Sequence, residues 1–159
     1  MTGGTFDKEY NELTGALSFK DTHLPEMLRL GRCRVDVSMR TLMMIDSLEM
    51  TDADRALIVE QCRAGAPSRA CVITHGTDTM VETAAALAAA LRPTSGKTDR
   101  AHRRDDPYAF GSSDGLFNLG SALSFVQVAA AGRLHRDERP LLRVGSRGKN
   151  KDTGVFEAI

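Results

Sequence analysis

The sequence predicts an α/β domain organised on a parallel sheet, on three observations. The run "ACVITH" at 70–75 is short, apolar and β-branched, as a buried strand requires. An amphipathic stretch precedes it, "TDADRALIVEQCRAG" at 51–65, and an alanine-rich one follows, "TMVETAAALAAALR" at 79–92. Strands alternating with helices in so short a chain need crossover connections, which make neighbouring strands parallel and place ligands at the strands' carboxyl ends.

Taken in order, Gly3-Gly4 opens a turn. Cys33, Val35 and Val37 alternate as in a half-buried strand, and the apolar run Leu42 to Ile45 reads as a second one. The helix over 51–65 starts at a Thr51 or Asp52 cap, carries Ala56, Leu57, Ile58 and Val59 at helical spacing, and stops at Gly65. In the helix over 79–92, Thr79 and Glu82 match the T-x-x-E capping box. A further helical run, "GLFNLGSALSFVQVAAA", spans 115–131. No internal repeat or low-complexity segment interrupts the chain.

The totals narrow the functional classes. At 159 residues the chain suits one domain with a real core. A formal net charge of zero gives no electrostatic reason to expect nucleic acid or an acidic membrane as partner. No apolar stretch approaches the ~18 residues of a membrane span, and "MTGGTFDKEY" lacks the features of an export signal. Cys33, Cys62 and Cys71 are odd in number and form no CxxC pair, so reduced thiols and a cytoplasmic location are expected, with no disulfide framework and no metal or other cofactor.

Chemistry concentrates in "VITHGTDTMVETAAAL" at 72–87, where Thr77, Asp78 and Thr79 fall between the end of a strand and the start of a helix. Unpaired N–H groups and the positive dipole end of a helix suit a carboxylate or a developing oxyanion there. Equally, Thr79 can cap the helix while Thr77 and Asp78 shape the turn. His75 reads as a hydrogen-bonding structural residue and His23 as a surface one. "TSGKT" at 94–98 resembles the end of a phosphate loop, but Leu91 stands where that motif needs its first glycine.

Paired with this segment is a glycine turn flanked by threonines, "TGGT" at Thr2–Thr5, whose glycines let backbone approach a small substrate. Together "TGGTF" and "THGTDTMVETA" resemble the two signatures of the bacterial-type L-asparaginases, in the same order. The resemblance extends to "IDSLEMTD" at 45–52, "YAFGSSDGLFNLGSAL" at 108–123 and "KNKDTGVFEA" at 149–158. It implies a doubly wound, mostly parallel sheet with helices on both faces, as in that family's N-terminal domain. It also implies hydrolysis of the side-chain amide of L-asparagine, with L-glutamine as a minor substrate, no cofactor, and self-association into a homo-oligomer.

By the same resemblance, Thr5 is the nucleophile that forms an acyl-enzyme. Thr77, Asp78 and Lys97 form a hydrogen-bonded trio that assists proton removal, and Tyr10 orients Thr5. Ser47, Glu49, Gly76, Thr77 and Asp78 hold the substrate, with Asp78 on its ammonium and Ser47 on its carboxylate. A buried ammonium beside a carboxylate has a tunable pKa, which suits such a relay. The competing functions are a non-catalytic amino-acid-binding module and an amidohydrolase subunit of an amidotransferase complex.

The sequence departs from the family in several places. An apolar strand is expected before TGGT, but Met1 abuts it. Leu48 follows Ser47 where many members carry glutamine, and the family's second domain has no counterpart, so weaker substrate binding is expected. From Asp99 to Asp106, where a buried strand and a Gly-Ala-Met turn are due, the chain reads "DRAHRRDD", too charged for a core strand. One allowed coding of that segment, read one base later, gives Ile-Val-Leu-Thr-Gly-Ala-Met-Thr. An allowed coding of 132–147, shifted likewise, gives Gly-Val-Tyr-Thr-Ala-Met-Asn-Gly-Arg-Cys-Phe-Glu-Trp-Asp-Arg-Val. Two independent recoveries of the expected motifs point to both windows being out of frame.

Overall fold

The structure, a computed structural model, describes residues 1–64, 71–91, 99–102, 107–130, 147–150, 152 and 156–158. Its first turn is set by Gly3 (φ 82°) and Gly4 (φ 129°), dihedrals that L side chains rarely adopt. A short 3-10 helix, Thr5–Asp7, leads into an antiparallel hairpin of β1 (Lys8–Asn11) and β2 (Ala16–Phe19), in register Lys8↔Phe19 to Asn11↔Ala16. Asn11 closes it: its Oδ1 accepts from the N–H groups of Leu13 (2.9 Å) and Thr14 (3.2 Å), and Gly15 supplies the positive φ. Helix α1, Leu24–Leu30, follows, with Pro25 in its first turn where a missing N–H costs nothing.

The expected strand over Cys33–Val37 is absent; the segment bends at Val35, which is exposed, and among the described residues no second strand rewards its alternation. Leu42–Ile45 is not a ladder strand either. Its backbone nevertheless runs beside the N-terminus, with Leu42 N–H donating to Met1 O (2.8 Å) and Ile45 N–H to Thr2 O (3.4 Å). On its other side Thr2 N–H donates to Thr74 O (3.3 Å), so Thr2 bridges the 42–45 segment and the next strand.

Helix α2, Asp52–Ala64, begins at Thr51, whose hydroxyl accepts from Asp54 N–H while Asp54 Oδ2 takes both the Thr51 N–H and its hydroxyl. This reciprocal cap settles the choice between Thr51 and Asp52. Strand β3, Cys71–Thr74, pairs in parallel with β4, Asp99–His102, in register Cys71↔Asp99 to Thr74↔His102. The backbone of 99–102 is thus laddered, while the expectation that this charged segment is no core strand concerns side chains that lie outside the described residues. Ladder bonds use main-chain groups, which side-chain charge leaves intact.

Helices α3, Met80–Ala90, and α4, Gly115–Ala130, both pack against this strand pair, giving the expected α/β arrangement. A short antiparallel pair, β5 (Arg147–Lys149) and β6 (Phe156–Ala158), completes the described elements.

Two apolar clusters hold these parts. Met50, Ile58, Val59, Cys62, Ile73 and Leu87 join one face of α2 to β3 and α3, with Leu42, Met43 and Ile45 packed against them. Truncating the fully buried Ile58 to alanine costs about 2–5 kcal/mol at such a site. Phe6, Leu24, Met27 and Leu119 form the second cluster, which anchors the residue after Thr5 between α1 and α4.

Candidate active site

Three loops meet at the carboxyl end of β3: residues 2–5, 44–49 and 75–79. Glycine makes the contact possible. A Cβ at Gly4 would stand 2.9 Å from Gly76 N and 3.2 Å from the His75 carbonyl carbon. A Cβ at Gly3 would stand 2.8 Å from both Ile45 N and Ile45 O, and one at Gly76 would meet Ser47 Oγ at 2.6 Å and Ser47 Cβ at 2.8 Å. Each loop thus touches the other two through backbone that tolerates no side chain. Thr2 adds a buried bond, its Oγ1 donating to Thr74 O at 2.7 Å.

Thr5 is half-buried at the start of its 3-10 helix, and its carbonyl accepts from Lys8 N–H. Ser47 is buried and opens the 3-10 turn Ser47–Glu49, while Glu49 is exposed. Ser47 Oγ has no hydrogen-bond partner among the described residues, so a buried hydroxyl is left for another group to engage. Thr77 is buried and Asp78 half-buried, both in the turn before α3. Tyr10 is exposed on β1, its hydroxyl lying over Gly15 of its own hairpin. Lys97 lies outside the described residues.

Thr79 corrects an expectation. It occupies the N-cap position of α3 without a side-chain capping bond; its hydroxyl donates instead to Ser47 O at 2.7 Å. Capping would use the hydroxyl oxygen as an acceptor of an N–H at the start of α3; the hydroxyl is instead oriented to donate to the carbonyl of the 44–49 loop, and this contact between loops replaces the local capping box with Glu82.

Behind the loops, His75 is buried and reads as a structural residue, as its position in the sequence implied. Nδ1 lies 2.6 Å from Gly76 O, an acceptor, which fixes the proton on Nδ1; Nε2 then accepts from the Thr83 hydroxyl at 2.8 Å. Burial holds its pKa below the usual value. His23, by contrast, is not a surface residue: its ring packs on Tyr108 with centroids 5.4 Å apart, and Nε2 stands 3.8 Å from Glu9.

Sequence reasoning missed Lys8 and Asp46. Asp46 caps the Ser47–Glu49 turn, Oδ1 accepting from Leu48 N–H at 3.0 Å, and Oδ2 meets Lys8 Nζ at 2.5 Å. Burial raises the Asp46 pKa, but the Lys8 ammonium and the Leu48 N–H outweigh it and hold the carboxyl below its usual range. The Asp-Ser pair in "IDSLEM" was a capping signal available in the sequence.

Among the described residues, no group of three or more His, Cys, Asp or Glu is placed to hold a metal ion. None of their helices is long and apolar enough to cross a membrane.

The profile of the family described as "Asparaginase, N-terminal" matches residues 1–98. Among solved structures, the chain is similar to the thermostable L-asparaginase from Thermococcus kodakarensis, at 26% identity and a TM-score of 0.68 over 80% of this chain and 39% of that one. It is similar to L-asparaginase I from Vibrio cholerae, at 25% identity and a TM-score of 0.73 over 99% of this chain and 49% of that one. A probable cytoplasmic L-asparaginase from Campylobacter jejuni shares 28% identity, with a TM-score of 0.65 over 79% of this chain and 39% of that one. The chain thus spans less than half the length of each of these structures. Among curated proteins no sequence matches it.

Proposed function

We propose, from the premise that the chain belongs to the asparaginase family through its N-terminal domain, that it is an amidohydrolase converting L-asparagine to L-aspartate and ammonia. The observation that carries this reading is the seating of Gly4 against Gly76, which brings the turn ending in Thr5 beside the turn holding Thr77 and Asp78.

In this reading Thr5 Oγ1 attacks the side-chain amide carbon and passes its proton toward the Thr77, Asp78 and Lys97 group. The same group returns that proton to the leaving nitrogen as the tetrahedral intermediate collapses, which releases ammonia and leaves an aspartyl ester on Thr5 that water hydrolyses to aspartate and free Thr5. Tyr10 is assigned to orienting Thr5 by the family resemblance alone, since its hydroxyl here lies over Gly15 of its own hairpin. Backbone N–H groups at the start of α3 stabilise the oxyanion.

The substrate's fixed charges account for the remaining residues. Asp78 and Glu49 are carboxylates suited to the α-ammonium. Ser47, with its buried unengaged hydroxyl, and the Gly76 backbone suit the α-carboxylate. L-Glutamine is a secondary substrate. The protein acts without a cofactor, in the cytoplasm, as a homo-oligomer.

The test is ammonia release from L-asparagine by the purified protein. Turnover that disappears in Thr5→Ala supports the reading. Calorimetric binding of L-asparagine or L-aspartate without any release of ammonia replaces it with an amino-acid-binding module.

A further inference from the structure

Lys8 belongs to none of the roles assigned above, yet it is joined to two of the three loops. Its backbone N–H donates to the carbonyl of Thr5 and closes the 3-10 helix that holds that residue. Its ammonium meets Asp46 Oδ2 at 2.5 Å, while Asp46 Oδ1 accepts from Leu48 N–H and so shapes the turn that presents Ser47. The Lys8 and Asp46 side chains are only 19% and 26% exposed, and Phe19 of β2 lies under the ammonium with its ring centroid 5.4 Å away. This is a shielded, directional contact rather than a loose surface pair.

We propose that Lys8 is a positioning residue that sets substrate chain-length specificity, by fixing the distance between Thr5 and Ser47. The inference rests on the asparaginase reading, in which Thr5 attacks the amide and Ser47 holds the α-carboxylate. Those two groups lie at opposite ends of the substrate, so their spacing measures its length. Asparagine and glutamine differ by one methylene, and a rigid spacing rejects the longer one.

The relation of Thr5 to Thr77 is held separately, by the backbone contact of Gly4 with Gly76. Loss of Lys8 therefore loosens the head-group end and leaves the reacting end in place. Ser47 keeps its tie to Thr79 in either case, so the turn shifts rather than unfolds.

The experiment measures KM and kcat for L-asparagine and L-glutamine in the wild type, Lys8→Met, Lys8→Arg, Asp46→Asn and the Lys8→Met/Asp46→Asn double variant. Asparagine, unlike aspartate, still accepts from Leu48 N–H without pairing with Lys8, so Asp46→Asn isolates the ion pair. Lys8→Met is expected to raise KM for asparagine about tenfold, which corresponds to the loss of one good polar contact. It should change kcat less than about threefold and lower the preference for asparagine over glutamine, for which one methylene is worth roughly 10- to 200-fold. Asp46→Asn should match it, the double variant should be no worse than either single, and Lys8→Arg should restore both KM and preference.

A fall in kcat with KM and preference intact, or multiplying effects in the double variant, overturns the proposal. Should Lys8→Met fail to fold, Asp46→Asn carries the same test. If the wild type releases no ammonia, the asparaginase reading fails on its own, and calorimetry with L-aspartate then decides the role of Lys8. Equal affinity in wild type and Asp46→Asn, or binding to neither, removes it.

Discussion

Replacing Gly76 by alanine tests whether the three loops are packed as tightly as the structure has them. The new Cβ would stand 2.6 Å from Ser47 Oγ, 2.8 Å from Ser47 Cβ and 3.4 Å from Ser47 N. A hydroxyl can rotate away, but a Cβ moves only with its backbone. Here that backbone is tied, because Ser47 O accepts from Thr79 Oγ1 at 2.7 Å. Overpacking of this kind costs about 1–3 kcal/mol, and breaking the Thr79 bond adds about 0.5–1.5 kcal/mol, giving about 1.5–4.5 kcal/mol together. For a chain of this size each kcal/mol lowers Tm by roughly 2–4 °C.

The structure also says what relieves the clash. Ser47→Gly removes both of the closest atoms, so Gly76→Ala should cost little in that background. Gly4→Ala should find no such relief: its Cβ meets main-chain atoms of residues 75 and 76, and its φ of 129° is strained for any side chain. Urea unfolding of the four Gly76/Ser47 combinations, with Gly4→Ala alone and with Ser47→Gly, measures the coupling. Costs for Gly76→Ala that agree to within about 0.5 kcal/mol in the two backgrounds would refute the packing of these loops.

His75 is held neutral by burial, with its folded pKa below the ordinary value of about 6.5. Between those two values the unfolded chain binds a proton that the folded chain refuses, so stability falls as pH drops below about 6.5. The fall in urea midpoint between pH 7.5 and 5.5 should be smaller in His75→Gln; an equal fall assigns it to other groups. Thr79→Val should lose about 0.5–1.5 kcal/mol through its lost bond to Ser47 O, whereas Thr79→Ser should not. Equal stability of the two variants would count against that bond. Mass spectra of peptides spanning 99–106 and 132–147 should show the one-base-shifted sequences if the shift is a sequencing error, and recovery of the arginine-rich peptides as written would exclude that origin and leave compensating indels in the gene.

How much of this was legible in the sequence depended on whether the signal was local. The helix at 52–64 and the strand at 71–74 carry their own periodicity and caps, and both formed close to where they were expected. Cys33–Val37 had the alternation of a strand but no neighbour to pair with, which no local pattern reveals. The Thr79–Glu82 capping box did not form because the Thr79 hydroxyl is oriented toward a carbonyl 32 residues earlier in the chain, to which it donates. The convergence of the loops was foreshadowed by the glycines in "TGGT" and "THGT", since close backbone approach demands that residue type. The Lys8–Asp46 pair was invisible, because a lysine and an aspartate 38 residues apart look like ordinary solvated charges. The hairpin at 8–19 did leave a signal in Asn11 and Thr14-Gly15, turn residues flanking the strands.

Catalysis as proposed requires Thr5 and Thr77 to serve one site from two loops. Ammonia release from L-asparagine, measured for wild type, Thr5→Ala, Thr77→Ala and the double variant, tests this most directly. Residues that act as a unit are not additive, so each single variant should abolish most turnover and the double should be no slower than the worse single. Losses that multiply, or a Thr77→Ala enzyme that turns over like the wild type, would contradict it.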